Sequence, residues 1–180
     1  MNLAARILKL AGWKVEVSVP DFPKGIICVA PHTSNWDFII GELAIRSVGR
    51  TPGFMMKSSW FFFPLGYFFK AIGGIPVVRK NAKQSLVEAM VSRFNQEEKL
   101  VVAITPEGTR KPTAIWHTGF LRIAYEAKVP IALAVIDFRM KKAMINQMFE
   151  PTGNIDADML AIKKYYRPFT GRHPENFLTE

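Results

Sequence analysis

Gly25-Ile26-Ile27-Cys28-Val29-Ala30-Pro31-His32-Thr33-Ser34-Asn35-Trp36-Asp37 reads as a strand, a turn and the opening of a helix. The β-branched run is short and apolar, as a strand buried on both faces requires. Pro31 ends it, because proline has no N–H to give to a ladder. Ser34 or Asn35 can then cap a helix whose first turn holds Asp37. Outward from this stretch the same alternation recurs. Further strands are expected over 53–57, 75–79, 100–105, 131–137 and 143–149, after the first at 25–30. Helices are expected over 2–11, 36–48, 82–95, 118–127 and 156–166, with Asn81 capping the third and Asp156 the last. Short strands alternating with longer helical patterns predict an α/β fold, a largely parallel central sheet flanked by helices. Connections are short and no repeat or linker is visible, so residues 1–180 read as a single domain.

Composition narrows the function. The chain has 180 residues, 49% of them hydrophobic, enough for one sizeable core. Its single cysteine, Cys28, excludes a disulfide framework. No run of eighteen apolar residues predicts a spanning helix. Residues 1–14 instead carry Leu3, Ile7 and Leu10 at helical spacing, opposite Asn2, Arg6 and Lys9. Such a helix either lies in a membrane interface or packs on its own domain.

The net charge of +9 calls for an anionic partner. Between residues 43 and 87 stand seven basic residues (Arg46, Arg50, Lys57, Lys70, Arg79, Lys80 and Lys83) and no acidic one. The same stretch carries Phe54, Trp60, Phe61, Phe62, Phe63, Tyr67, Phe68 and Phe69. Nucleic-acid surfaces space single aromatics across a sheet, and three consecutive phenylalanines are too apolar for that. No nucleic-acid partner is therefore expected. Cations flanking an aromatic cluster suit an anionic membrane surface, with Trp60, Phe61, Phe62, Phe63, Phe68 and Phe69 at the interface. A buried core segment has the same composition. Pro64 and Gly66 interrupt the cluster and predict a short irregular helix there.

Three polar clusters each follow a predicted strand, and the carboxyl ends of parallel strands share one edge, where ligands bind. In the first, Asp37 can reach back to one nitrogen of His32 and leave the other free as a general base. Ser34 lacks the glycine-flanked elbow of a nucleophile and reads as a cap. In the second, Gly73-Gly74-Ile75-Pro76-Val77-Val78-Arg79-Lys80 brings Arg79 to a strand end, where a guanidinium suits phosphate. It lacks the Gly-Lys-Ser/Thr ending of a P-loop. The third is Thr105-Pro106-Glu107-Gly108-Thr109-Arg110, a turn in which glycine lets backbone N–H groups face a ligand. Three histidines (His32, His117 and His173) and one cysteine offer no metal-ligand set.

Taken together the three clusters resemble the glycerophospholipid acyltransferase family, the group typified by lysophosphatidic-acid acyltransferases. His32 and Asp37 match its His-x4-Asp block; Gly73, Ile75, Val77 and Arg79 match its second block. Glu107, Gly108, Thr109 and Arg110 match its third. Lys57, Pro64 and Gly66 fit the approach to the second block, and Gly119 with 129–131 fits the region after the third. The resemblance runs over about 25–135. Val78 departs from the acidic or polar residue common before the arginine, and a second proline is missing after Pro130.

The resemblance implies transfer of a fatty acyl group from acyl-CoA or acyl-ACP (acyl carrier protein) to a lysolipid hydroxyl, with 1-acyl-sn-glycerol-3-phosphate as the default acceptor. His32 would be the base and Asp37 its partner. Glu107, Gly108 and Thr109 would position the acceptor and the oxyanion, with backbone N–H groups near Gly108 as donors. Arg79, Arg110 and Lys57 would bind phosphate. No cofactor is implied beyond the thioester co-substrate. The expected location is the cytoplasmic side of a membrane, peripheral or monotopic. An amine- or sugar-bearing acceptor, a lipid hydrolase and a non-catalytic membrane-binding module remain open alternatives.

Overall fold

The computed structural model describes residues 2–77 and 86–180. Its sheet contains β1 (Lys14–Val17), β2 (Lys24–Ala30), β3 (Gly53–Lys57), β4 (Gly74–Val77), β5 (Leu100–Ile104), β6 (Ile131–Asp137) and β7 (Lys142–Phe149). Their spatial order is β1-β7-β6-β2-β5-β3-β4. All neighbouring pairs are parallel except β6 with β7. The largely parallel α/β architecture expected from the sequence is the one found. The helices are α1 (Leu3–Leu10), α2 (Asn35–Ser47), α3 (Leu65–Ala71), α4 (Leu86–Gln96), α5 (Gly119–Ala127) and α6 (Ile155–Tyr166).

The alternation of side chains along β2 builds two cores at once. Ile26, Cys28 and Ala30 face a layer containing Phe94 of α4, Phe120 and Leu121 of α5, and Ile162 and Tyr166 of α6. Ile27 faces the other side, beside Ile45 of α2. There Val29 also packs in a cluster with Leu8 of α1 and with Ile40 and Ala44 of α2. The result is helix, sheet, helix. Each fully buried aliphatic side chain contributes roughly 1.5–3 kcal/mol, and every residue of β6 is buried. The Tyr166 hydroxyl, deep in that core, donates to the Cys28 carbonyl at 2.6 Å.

Two details differ from the sequence reading. β1 was not expected. The N-cap of α6 is Asn154, whose side chain accepts the Ala157 N–H at 3.1 Å; Asp156 lies in the first turn. The expected N-cap Asn81 and the start of its helix lie outside the described residues. The aromatic stretch forms a single 3-10 turn, Ser58–Trp60, followed by the short α3, as the breaks at Pro64 and Gly66 predict.

Candidate active site

Because β2 and β5 are neighbours, with Cys28 paired to Ile104, the loops leaving their carboxyl ends meet. His32 lies on the first loop and Glu107 on the second. The Glu107 carboxylate, almost fully buried, accepts the backbone N–H of His32 through Oε1 at 2.8 Å. Burial pushes the Glu107 carboxyl up to about 8, and the Asp37 charge adds to the rise, against the lowering effect of the His32 N–H.

Asp37 organises the rest of the first loop. Its Oδ2 accepts the N–H groups of Thr33 at 2.6 Å and Ser34 at 2.7 Å. Its Oδ1 accepts the Ser34 hydroxyl at 2.8 Å. Ser34 is the N-cap of α2 and Asp37 its third residue, so Asp37 makes the reach-back half of a capping box. The same Oδ2 lies 3.4 Å from Nδ1 of His32. That is long for a hydrogen bond. With Nδ1 turned to Asp37, Nε2 is left as the proton acceptor. The three successive N–H groups of residues 32–34 thus all end on carboxylates, two on Asp37 and one on Glu107.

The Glu107 turn closes on itself. Gly108 has φ +65, a left-handed conformation that favours glycine, and its N–H donates to the Thr105 carbonyl at 3.2 Å. That N–H is used within the turn. A Cβ at Gly108 would also come within 2.4 Å of the His117 ring, which places His117 directly on the turn. The Thr109 hydroxyl accepts the Lys111 N–H at 3.1 Å. Arg110 is exposed just beyond. Lys57 closes β3, the strand beside β5, and so ends at the same edge. Arg79 lies outside the described residues.

The aromatic segment leaves β3 at this same edge. Phe61 and Phe69 are half-buried, their ring centroids 6.0 Å apart. Backbone contacts leave no room there: a Cβ at Gly66 would meet the Phe61 carbonyl oxygen at 2.7 Å. Trp60, Phe62, Phe63, Tyr67 and Phe68 are exposed, Phe63 by 82% and Tyr67 by 74%. On α1, Leu8 is buried while Leu3, Ile7 and Leu10 are exposed. Arg46 connects the two regions: its carbonyl accepts the Asn2 side chain at 2.9 Å, and its guanidinium donates to the Ile72 carbonyl at 3.2 Å. Arg46 and Arg50 are also paired with Glu42 and Asp21, while Lys70 is exposed.

Sequence reasoning missed the C-terminal segment. Gly171 packs so closely on the first loop that a Cβ would fall 2.7 Å from the Thr33 hydroxyl. The only hint in the sequence is that glycine itself. No helix among the described residues is long and apolar enough to cross a membrane. Nor do the described residues contain a group of three or more His, Cys, Asp or Glu side chains that could hold a metal. A cleft of about 480 Å³ lies at the amino ends of β2, β3 and β5, lined by Phe22, Arg50 and Lys99 among others. It is at the opposite edge of the sheet from His32 and has no part in the site.

No curated protein sequence matches the chain. In three dimensions it is similar to the crystal structure of the 1-acyl-sn-glycerophosphate (LPA) acyltransferase PlsC from Thermotoga maritima. The TM-score is 0.60 at 17% identity, over 92% of this chain and 76% of that one. At that identity the likeness speaks for the fold. The family model described as Acyltransferase matches residues 14–137, more than half of the chain and both loops of the site, and the chain therefore belongs to the Acyltransferase family.

Proposed function

We propose that the protein transfers a fatty acyl group from a thioester, acyl-CoA or acyl carrier protein, to the hydroxyl of a lysophospholipid, with 1-acyl-sn-glycerol-3-phosphate as the preferred acceptor. The observation that carries this reading is the His32–Asp37 pair, 3.4 Å apart, on a loop clamped by Glu107 at the carboxyl edge of the sheet. The acceptor O–H gives its proton to Nε2 of His32, and its oxygen attacks the thioester carbonyl carbon. The tetrahedral intermediate collapses with cleavage of the C–S bond. The departing thiolate takes the proton back from the imidazolium. General-base assistance of this kind contributes about 10² to 10⁴ in rate. Phosphate on the acceptor matches Arg110, exposed just beyond the Glu107 turn, and the basic residues Lys57 and Arg79 of the sequence. The acceptor named for the PlsC structure points the same way.

Both reactants carry acyl chains, so the edge must meet a bilayer. The exposed Trp60, Phe62, Phe63, Tyr67 and Phe68, together with Leu3, Ile7 and Leu10 of α1, supply an apolar surface for monotopic contact. Lys70 and the overall positive charge favour the anionic, cytoplasmic leaflet.

The test is a matrix of acceptors (lysophosphatidic acid, monoacylglycerol, lyso-amino and glycosyl lipids) against acyl-CoA and acyl carrier protein donors. Product is followed by mass spectrometry, with His32→Ala as the blank. Acylation of lysophosphatidic acid that disappears in the blank is expected. Release of free fatty acid without an acceptor would make the protein a hydrolase. Turnover retained in His32→Ala would remove the mechanism.

A further inference from the structure

Residues 168–178 cross the active-site edge as a strap. At one end, Thr170 is fixed to the end of β6: its carbonyl accepts the Phe138 N–H at 2.9 Å and its N–H donates to the buried Asp137 carboxylate at 3.1 Å. At the other end, the Leu178 carbonyl accepts the Trp116 indole N–H at 3.0 Å, and Phe177 forms a bridge with Thr113. Between these anchors the strap lies on the His32 loop. Gly171 is packed against Thr33 and Pro31, and the His173 N–H donates to the Thr33 hydroxyl at 3.1 Å.

Arg172 sits between those two pinned residues, so its backbone is set relative to the catalytic loop. Its guanidinium carbon lies 5.3 Å from the centre of the Trp36 ring, within cation–π range. Trp36 immediately precedes Asp37. A guanidinium has five N–H donors, and a contact with an aromatic ring does not use them all. Arg172 is exposed, and among the described residues no carboxylate pairs with it. A cation oriented by an aromatic face, lacking an acidic partner and held against the catalytic loop, is arranged to receive an external oxyanion.

We propose that Arg172 binds a phosphate group of the substrate, a specificity contact supplied by a part of the chain beyond the matched residues 14–137. The inference rests on the proposed reading for its ligand class. The phosphate can belong to the acceptor headgroup or to the coenzyme A of the donor. The chemistry is the same and the test separates them.

The full-length protein and its Arg172→Ala and Arg172→Lys variants are titrated calorimetrically in detergent micelles. The ligands are lysophosphatidic acid, monoacylglycerol of the same chain length, and coenzyme A. Loss of a charge-assisted hydrogen bond predicts a weakening of about tenfold to a hundredfold in Arg172→Ala, with partial retention in Arg172→Lys. A loss confined to lysophosphatidic acid assigns the phosphate to the acceptor, and one confined to coenzyme A assigns it to the donor. Unchanged affinity for both, an equal loss for monoacylglycerol, or a wild type with no preference for phosphate overturns the proposal. Binding is read without turnover, so a protein that binds through Arg172 yet transfers nothing would remove the proposed reaction and leave this inference standing.

Discussion

Glu107→Gln isolates the most perturbed carboxyl at the site. In the folded chain its carboxyl is raised from 4.5 to about 8, chiefly by burial. Between those values the folded state holds a proton that the unfolded state has released. The unfolded chain therefore binds one proton fewer, and stability must fall as pH rises. The slope is about 1.4 kcal/mol per pH unit for one proton. The contribution is fully present below pH 4.5 and is lost as pH rises through about 8. Over the three units from pH 5 to 8 this amounts to roughly 4 kcal/mol, at 1.36 kcal/mol per unit. Glutamine keeps a carbonyl oxygen for the His32 N–H but cannot ionise. Urea unfolding of both proteins at pH 5, 6, 7 and 8 gives the difference directly, since every other titrating group is shared. Wild-type stability relative to Glu107→Gln should decline across that range, with the variant the more stable at pH 8. A difference that stays constant with pH would mean that Glu107 is ionised in the folded protein, and the burial argument would fail. The point bears on function as well. Protonation of Glu107 would lower the negative charge around His32.

Two further outcomes follow from the geometry. Asp37→Asn replaces an oxygen that accepts N–H groups with an amide that donates them; transfer should drop by about 10² to 10⁴ and stability by about 1–3 kcal/mol, read by turnover and urea unfolding. The pair Phe63→Ser and Tyr67→Ser, at exposed positions, should leave the circular dichroism spectrum unchanged and reduce co-sedimentation with anionic vesicles at least tenfold, at roughly 1.5–3 kcal/mol per buried aromatic. Vesicle binding by that double variant equal to wild type would take the aromatic surface out of the membrane contact.

What the sequence discloses here is local chemistry; what it conceals is pairing over distance. The strand, proline, cap and helix around His32 lie within thirteen residues, and each has its own signal. β1 carries no such signal: Lys-Val-Glu-Val alternates half-buried and exposed residues, too short and too charged to stand out. Asn154 and Asp156 are both plausible caps by type. Asn154 holds the position, while Thr152 donates through both its N–H and its hydroxyl to the next acidic residue, Asp158. That His32 should be held by Glu107, 75 positions away, depends on β2 lying beside β5, and no residue type announces strand order. The aromatic cluster divides into half-buried Phe61 and Phe69, which lie against Gly66 and Gly74, and exposed Phe62, Phe63 and Phe68. Composition cannot make that division. The strap is the extreme case, since Thr170 to His173 has no periodicity and acquires meaning only from what it touches.

The His32 loop shows why such long-range contacts bear on the proposed chemistry. The same Oδ2 of Asp37 that faces Nδ1 of His32 also receives two backbone N–H groups. One carboxylate therefore caps the helix, shapes the loop and faces the imidazole of His32. Removing it disturbs all three, so a loss of activity in Asp37→Asn cannot by itself report on the tautomer of His32. His32→Ala leaves every one of those backbone bonds in place, because the bond to Glu107 is made by the His32 N–H and the imidazole adds to the network the 3.4 Å approach of Nδ1 to Asp37. Its side chain can be deleted without unpinning the loop. The two variants should accordingly differ in stability far more than in activity: His32→Ala close to wild type in urea, Asp37→Asn clearly below it, and both slow. That contrast separates the imidazole as the base from the carboxylate as the frame that holds it.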